Sequence, residues 1–180
     1  MGGGDKFLVD LCGRPLIEHV IERLRPQVDA LAISANGDPS RIPSEFPIVP
    51  DTAPSRGPLS GLRAGLLWAR DVRGTTHLVT SAADTPFLPK DLVARLHAAG
   101  ADRVALACSG GRRHPTFGLW RVDVIDELEA FLVAQSQDRV SDFAARCGAV
   151  DVDFDDDDAF FNINTPQDLA AARARLLGKS

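Results

Sequence analysis

Short apolar stretches alternate with helical patterns along nearly the whole chain, and that alternation limits the available folds more than any single residue does. Residues 29–35, 47–50, 76–82, 103–108 and 116–120 are apolar, short and bounded by turn formers, and they read as buried strands. Between them, apolar residues recur at helical spacing in 15–25, 58–70, 89–99, 124–134, 139–147 and 166–177, four of these opening on Pro15, Pro58, Pro89 and Pro166. Such a pattern implies βαβ crossovers, hence an α/β fold with a mainly parallel sheet, helices on both faces and ligands at the carboxyl ends of the strands. Residues 38–44, rich in Pro and Ser, read as a loop within one domain spanning 1–180.

Charge and cysteine usage narrow the function classes. With 20 Lys plus Arg against 25 Asp plus Glu the net charge is −5, and no dense basic stripe offers phosphate contacts to a nucleic acid. The odd count of Cys12, Cys108 and Cys147, far apart and without a Cys-x-x-Cys spacing, argues against a disulfide framework or a zinc site. No apolar run approaches the ~20 residues of a membrane span, and the chain does not open on a signal peptide. The expectation is a cytoplasmic protein without a membrane or nucleic-acid partner.

Several segments carry groups suited to an anionic ligand. The opening Met1-Gly2-Gly3-Gly4-Asp5-Lys6 sets glycine backbone donors beside a cation, a combination able to wrap phosphates, though a frayed terminus has the same composition. Asp84 follows the apolar segment 76–82 and precedes Pro86, where an open α/β sheet presents a metal-binding carboxylate; a turn or helix-capping aspartate is the competing reading. Asp51, after residues 47–50, could accept two hydrogen bonds from a planar N–H edge or simply start a turn. Arg56-Gly57-Pro58-Leu59-Ser60-Gly61 opens a helix with two glycines that permit close approach of a flat ligand or phosphate. In Asn162-Ile163-Asn164-Thr165-Pro166 the threonine and proline are explained by helix capping, whereas two asparagines spaced by one apolar residue invite a ligand role. Arg112, Arg113 and His114 form a compact basic cluster where an anionic substrate could dock, with a solvated hairpin loop as the alternative. The acidic run 155–158 reads as a solvated loop, and no nucleophile-elbow context favours covalent catalysis.

Taken in order, GGGDKFLVDLCGRPLIEHV, SANG, the stretch from Asp51 to GPLSGL, ADTPFLP, HPTFGLW and FFNINTPQDL resemble the molybdenum cofactor guanylyltransferases, relatives of the sugar-nucleotide transferases. The resemblance implies a three-layer, Rossmann-like nucleotide-diphospho-sugar-transferase fold and transfer of GMP from GTP to molybdopterin, with Mg²⁺ as cofactor and pyrophosphate as co-product. It implies molybdoenzymes or their chaperones as further partners. By the same resemblance Lys6 meets the GTP phosphates and Asp84 holds Mg²⁺, these two being the catalytic pair. Asp51, Gly57 and Gly61 belong to the guanosine pocket, and Ser34 stands where related sequences carry an asparagine, its hydroxyl replacing part of that contact. Asn162 and Asn164, with Arg113 and His114, are assigned to the pterin or to a second metal contact. A cytidylyltransferase, another phosphate-acceptor nucleotidyltransferase and a non-catalytic cofactor-binding module are the alternatives. The family pattern begins with an apolar strand and a Leu-Ala-Gly-Gly loop, which would precede Met1. The expectation is therefore a shortened chain that exposes backbone groups on two neighbouring strands and binds GTP weakly.

Overall fold

Every side chain from Val104 to Ser109 is buried, and successive ones enter two different apolar clusters, so this strand is covered on both faces. The computed structural model describes residues 6–42, 45–51, 57–99, 103–134 and 139–178. In chain order the elements are β1 (Asp10–Leu11), β2 (Arg14–Pro15), α1 (Leu16–Leu24), β3 (Ile33–Ser34), β4 (Ile48–Val49), α2 (Pro58–Asp71), β5 (His77–Thr80) and α3 (Leu92–Ala98). They continue with β6 (Val104–Ser109), β7 (Arg112–Arg121), α4 (Ile125–Ala134), α5 (Val140–Arg146), β8 (Val150–Asp153) and α6 (Pro166–Leu177).

Two layers of helix follow from the pleat of the strands. Val104 and Leu106 of β6, Trp120 of β7 and Leu78 of β5 pack with Leu62 and Leu66 of α2, Leu128 and Phe131 of α4 and Phe143 of α5. The opposite face, Ala105 and Ala107 with Phe117 and Leu119, meets Leu92 and Leu96 of α3 and Val20 of α1. A helix–sheet–helix sandwich results, as the alternating pattern requires. A third cluster joins Leu11, Leu16, Phe87 and Ile163 to Ala172 of α6, bringing both ends of the chain together.

Within this three-layer α/β fold the pairing is mixed. The main sheet runs β5-β7-β6-β8, parallel between β6 and β8 and antiparallel on both sides of β7, while β3 and β4 pair in parallel separately. The antiparallel strand arises because Gly110 and Gly111, at φ 53° and 75°, turn β6 directly back into β7. That strand starts at Arg112, earlier than the sequence suggests. It accommodates Pro115 because the register slips there: Leu106 pairs with Gly118 while Ala107 pairs with His114, which leaves residues 115–117 outside the regular ladder.

Among the described residues, β3 pairs only with β4 and β5 only with β7. Residues of both β3 and β5 line one cavity of about 700 Å³, walled by α1 through Ile17 and Val20 and by α2 through Leu62 and Gly65. Among the described residues no helix is long and apolar enough to cross a membrane.

Candidate active site

Two groups of polar side chains gather at the carboxyl ends of β3, β4 and β5. The first forms around the turn after β5. Burial pushes the Asp84 carboxyl above the usual carboxylate range, an effect offset in part by its own backbone N–H, by the Lys6 ammonium and by the Thr85 hydroxyl. Lys6 belongs to a short 3₁₀ turn, Lys6–Leu8, and its Nζ donates to Asn164 Oδ1 at 3.3 Å. Next to Asp84, Thr85 is fully buried and its hydroxyl donates to Asn162 Oδ1 at 2.5 Å. The Ile163 N–H closes the arrangement by donating to the Asp84 carbonyl at 3.0 Å. Ile163 is fully buried while Asn162 and Asn164 are exposed, so the extended backbone turns both amides to the same side.

The asparagine segment is held by the start of α6. Thr165 caps the helix through its hydroxyl, and the Asp168 carboxylate accepts the backbone N–H groups of Asn164 and Thr165 at 3.0 and 2.8 Å. Those bonds hold the Asp168 carboxyl below the usual carboxylate range, the Thr165 hydroxyl being the largest cause. The helix cap expected at Thr165 is thus a capping box with Asp168, whose carboxylate also holds the backbone of Asn164.

The second group lies at the ends of β3 and β4. Ser34 pairs with Val49 across the two strands, and the Ala35 N–H donates to the Val49 carbonyl at 3.2 Å, which carries the chain on to Asp51. A Cβ built on Gly61 would lie 3.4 Å from Ser34 Oγ and 4.0 Å from Asp51 Oδ1, so the missing side chain leaves both oxygens accessible from α2. Gly57 takes φ 62° and ψ −143° just before α2, a backbone state open almost solely to glycine. Its carbonyl accepts the Ser60 N–H at 3.0 Å, forming the first turn.

One apolar cluster lies beneath Lys6, Ser34 and Asp84. Phe7 and Leu8 beside Lys6, Ile33 and Ala35 on either side of Ser34, and Ala83 beside Asp84 pack around Ile17 and Ile42. Lys6, Asp84 and Ser34 are therefore each flanked by residues of one cluster, and Asp51 joins Ser34 beside Gly61. Arg113 and His114 are engaged otherwise. The Arg113 guanidinium pairs with Asp151 of β8 at 2.8 Å. The His114 ring stacks on Phe160 at 4.5 Å and meets Ser109 Oγ at 2.9 Å, two residues from Asn162 along the chain. Both lie in β7 rather than in a hairpin loop. The glycine run Met1–Asp5 and Arg56 lie outside the described residues.

The donor set suits a hard divalent cation. Asp84 offers a carboxylate drawn partly out of water, with amide oxygens nearby. Among the described residues no group of three or more His, Cys, Asp or Glu forms a cage that would hold a metal without substrate. A single carboxylate completed by substrate phosphates is the usual arrangement for such an ion. Two side chains not singled out from the sequence each hold a candidate site residue: Thr85 bonds Asn162 in the first group and Asn36 bonds Asp51 in the second. Their roles depend on partners 77 and 15 residues away and leave no local signal.

Residues 1–149 match the family model described as MobA-like NTP transferase domain. The chain is 51% identical over 177 residues to a molybdenum cofactor guanylyltransferase of Cereibacter sphaeroides, covering 98% of this chain and 90% of that protein. It is 49% identical to that of Mesorhizobium japonicum, covering 98% and 89% respectively. Among solved structures, molybdopterin-guanine dinucleotide biosynthesis protein A from Archaeoglobus fulgidus superposes with a TM-score of 0.75 at 26% identity, covering 99% and 93%. The 2-C-methyl-D-erythritol 4-phosphate cytidylyltransferase of Thermus thermophilus shares the fold, with a TM-score of 0.70 at 18% identity over 99% and 96%. A nucleotidyltransferase fold with its polar groups at the strand ends, and close relatives along almost its whole length, place the chain in the MobA-like NTP transferase family.

Proposed function

We propose that this protein transfers GMP from GTP to the terminal phosphate of molybdopterin, giving the guanine dinucleotide form of the cofactor and pyrophosphate, with Mg²⁺ as the metal. The observation that carries the reading is the meeting of Lys6, Asp84 and the asparagine pair, with Ser34 and Asp51 beside Gly61 at the ends of β3 and β4.

The reaction brings two anions together. An acceptor phosphate oxygen forms a bond to the α-phosphorus while the bond from that phosphorus to the bridging oxygen breaks, and pyrophosphate carries the charge away. Neutralisation therefore matters more than a strong base. Mg²⁺ held by Asp84 would neutralise phosphate charge and fix its oxygens. Lys6 supplies an ammonium group, and its bond to Asn164 Oδ1 holds that group beside the asparagine pair. Asp51 and Ser34 offer a carboxylate and a hydroxyl to the nucleotide base, beside the bare face of Gly61. Gly57, at the start of α2, lets the backbone approach the nucleotide closely.

Asn162 and Asn164 border the phosphate side. Arg113, paired with Asp151, and His114, stacked on Phe160 two residues from Asn162, would form only the outer border of the pterin side. A cytoplasmic setting agrees with the free thiols of Cys12, Cys108 and Cys147. Pyrophosphate release from GTP in the presence of molybdopterin, compared with CTP, tests the reading. Turnover with CTP at the rate seen with GTP would reject the choice of base, and no release with either nucleotide would reject the enzyme.

A further inference from the structure

Asn36 holds Asp51 at two points. Its Nδ2 donates to Asp51 Oδ2 at 2.9 Å, and its Oδ1 accepts the Asp51 backbone N–H at 2.9 Å. One primary amide thereby fixes both the main chain and the carboxylate plane of the same residue. Asn36 is anchored in turn: the Arg41 guanidinium donates to the Asn36 carbonyl, and it lies against Gly37, whose φ of +86° turns the chain there. With Oδ2 engaged by Asn36, the oxygen on the side of Gly61 and Ser34 is Asp51 Oδ1.

The orientation has a chemical consequence. A fixed carboxylate oxygen accepts N–H donors and repels ring nitrogens that carry lone pairs. Guanine presents N1–H and its exocyclic N2 amine along one edge, whereas adenine and cytosine present an unprotonated ring nitrogen at the matching place. Sites built around buried or fixed polar groups discriminate steeply, since a mismatched base leaves them unpaired or opposed.

We propose that Asn36 is the positioning residue that sets base choice, by holding Asp51 so that one carboxylate oxygen is aimed at the N–H edge of guanine. The inference rests on the reading of Asp51 as part of the base site.

Titration of the full chain with GTP and ITP, which differ only in the exocyclic amine, tests it. Four proteins are compared: the parent, Asp51→Asn, Asn36→Ala and the exchanged pair Asn36→Asp with Asp51→Asn. Asn36→Ala is expected to raise the Kd for GTP about tenfold and to narrow the preference for GTP over ITP, because Asp51 can then rotate. The exchanged pair restores two mutual hydrogen bonds, so its Tm returns to the parent value. It lacks a carboxylate facing the pocket, so its Kd for GTP stays high. Recovery of both Tm and GTP affinity in the exchanged pair, or weaker GTP binding in Asn36→Ala with an unchanged GTP-to-ITP ratio, would assign Asn36 a structural role only and overturn the proposal. Parent affinities in Asn36→Ala, with GTP binding weakened in Asp51→Asn, would do the same and leave the base site standing. No effect of Asp51→Asn, or no GTP binding by the parent, would remove the base-site reading itself.

Discussion

The Lys6 ammonium donates to the Asn164 side-chain oxygen across a separation of 158 residues, so the first and last parts of the described chain meet at one site. The bond is exposed at both partners and contributes little to stability, since solvent competes for each group. Its value lies in orientation. Lys6→Ala is expected to lower the transfer rate about a hundredfold with Tm within a few degrees of the parent. Asn164→Ala keeps the cation but frees it to wander, and a loss of about tenfold is expected. Equal rates for the parent and Lys6→Ala would detach the lysine from the chemistry.

Gly57 and Gly61 lie four residues apart and serve different ends. Nothing is within 4 Å of a Cβ built on Gly57, so Gly57→Ala meets only backbone strain at φ 62° and should cost about 1–3 kcal/mol of stability. At this chain length that corresponds to a fall in Tm of roughly 2–4 °C per kcal/mol. Gly61→Ala has an ordinary helical backbone and should leave Tm nearly unchanged, but its methyl group would enter the space beside Ser34 Oγ and Asp51 Oδ1 and weaken GTP binding. Thermal melts and nucleotide titrations on both variants separate the two effects.

How much of this was readable beforehand depended on where each signal resides. The helix starts at Pro58 and Pro166 are local chemistry, and α2 and α6 begin at those residues. β8 passed unnoticed because its sequence, Val-Asp-Val-Asp, exposes one face at the sheet edge and merges with the acidic run that follows. The small β1–β2 hairpin, with Cys12 at φ 54°, also escaped, being only two residues per strand. Asp84 and Asp51 stand out in the sequence because strand ends in an alternating chain are where ligands bind, and Lys6 because it follows a glycine run. Asn36 carries no such cue, because its two bonds to Asp51 exist only in the fold.

Asp84 carries a cost in stability with a definite sign. Its folded-state pKa is raised, chiefly by burial, so the folded protein holds this proton more strongly than the unfolded chain does. In the absence of metal, its contribution favours folding below the ordinary carboxylate range and is lost as pH rises through the raised value. Asp84→Asn removes that dependence and should melt higher than the parent at neutral pH, a gain in stability at a functional position. Identical melting curves for the two proteins from acid to neutral pH would contradict the burial effect.

The central claim is that the Asp84 carboxylate holds a divalent cation against the triphosphate. It is tested most directly by pyrophosphate release from GTP and molybdopterin, with the parent and Asp84→Asn measured across a Mg²⁺ titration. The account predicts release by the parent that depends on Mg²⁺, and a loss of about a hundredfold or more in a variant that keeps its fold. Turnover by Asp84→Asn at the parent rate, with the same Mg²⁺ dependence, would contradict it.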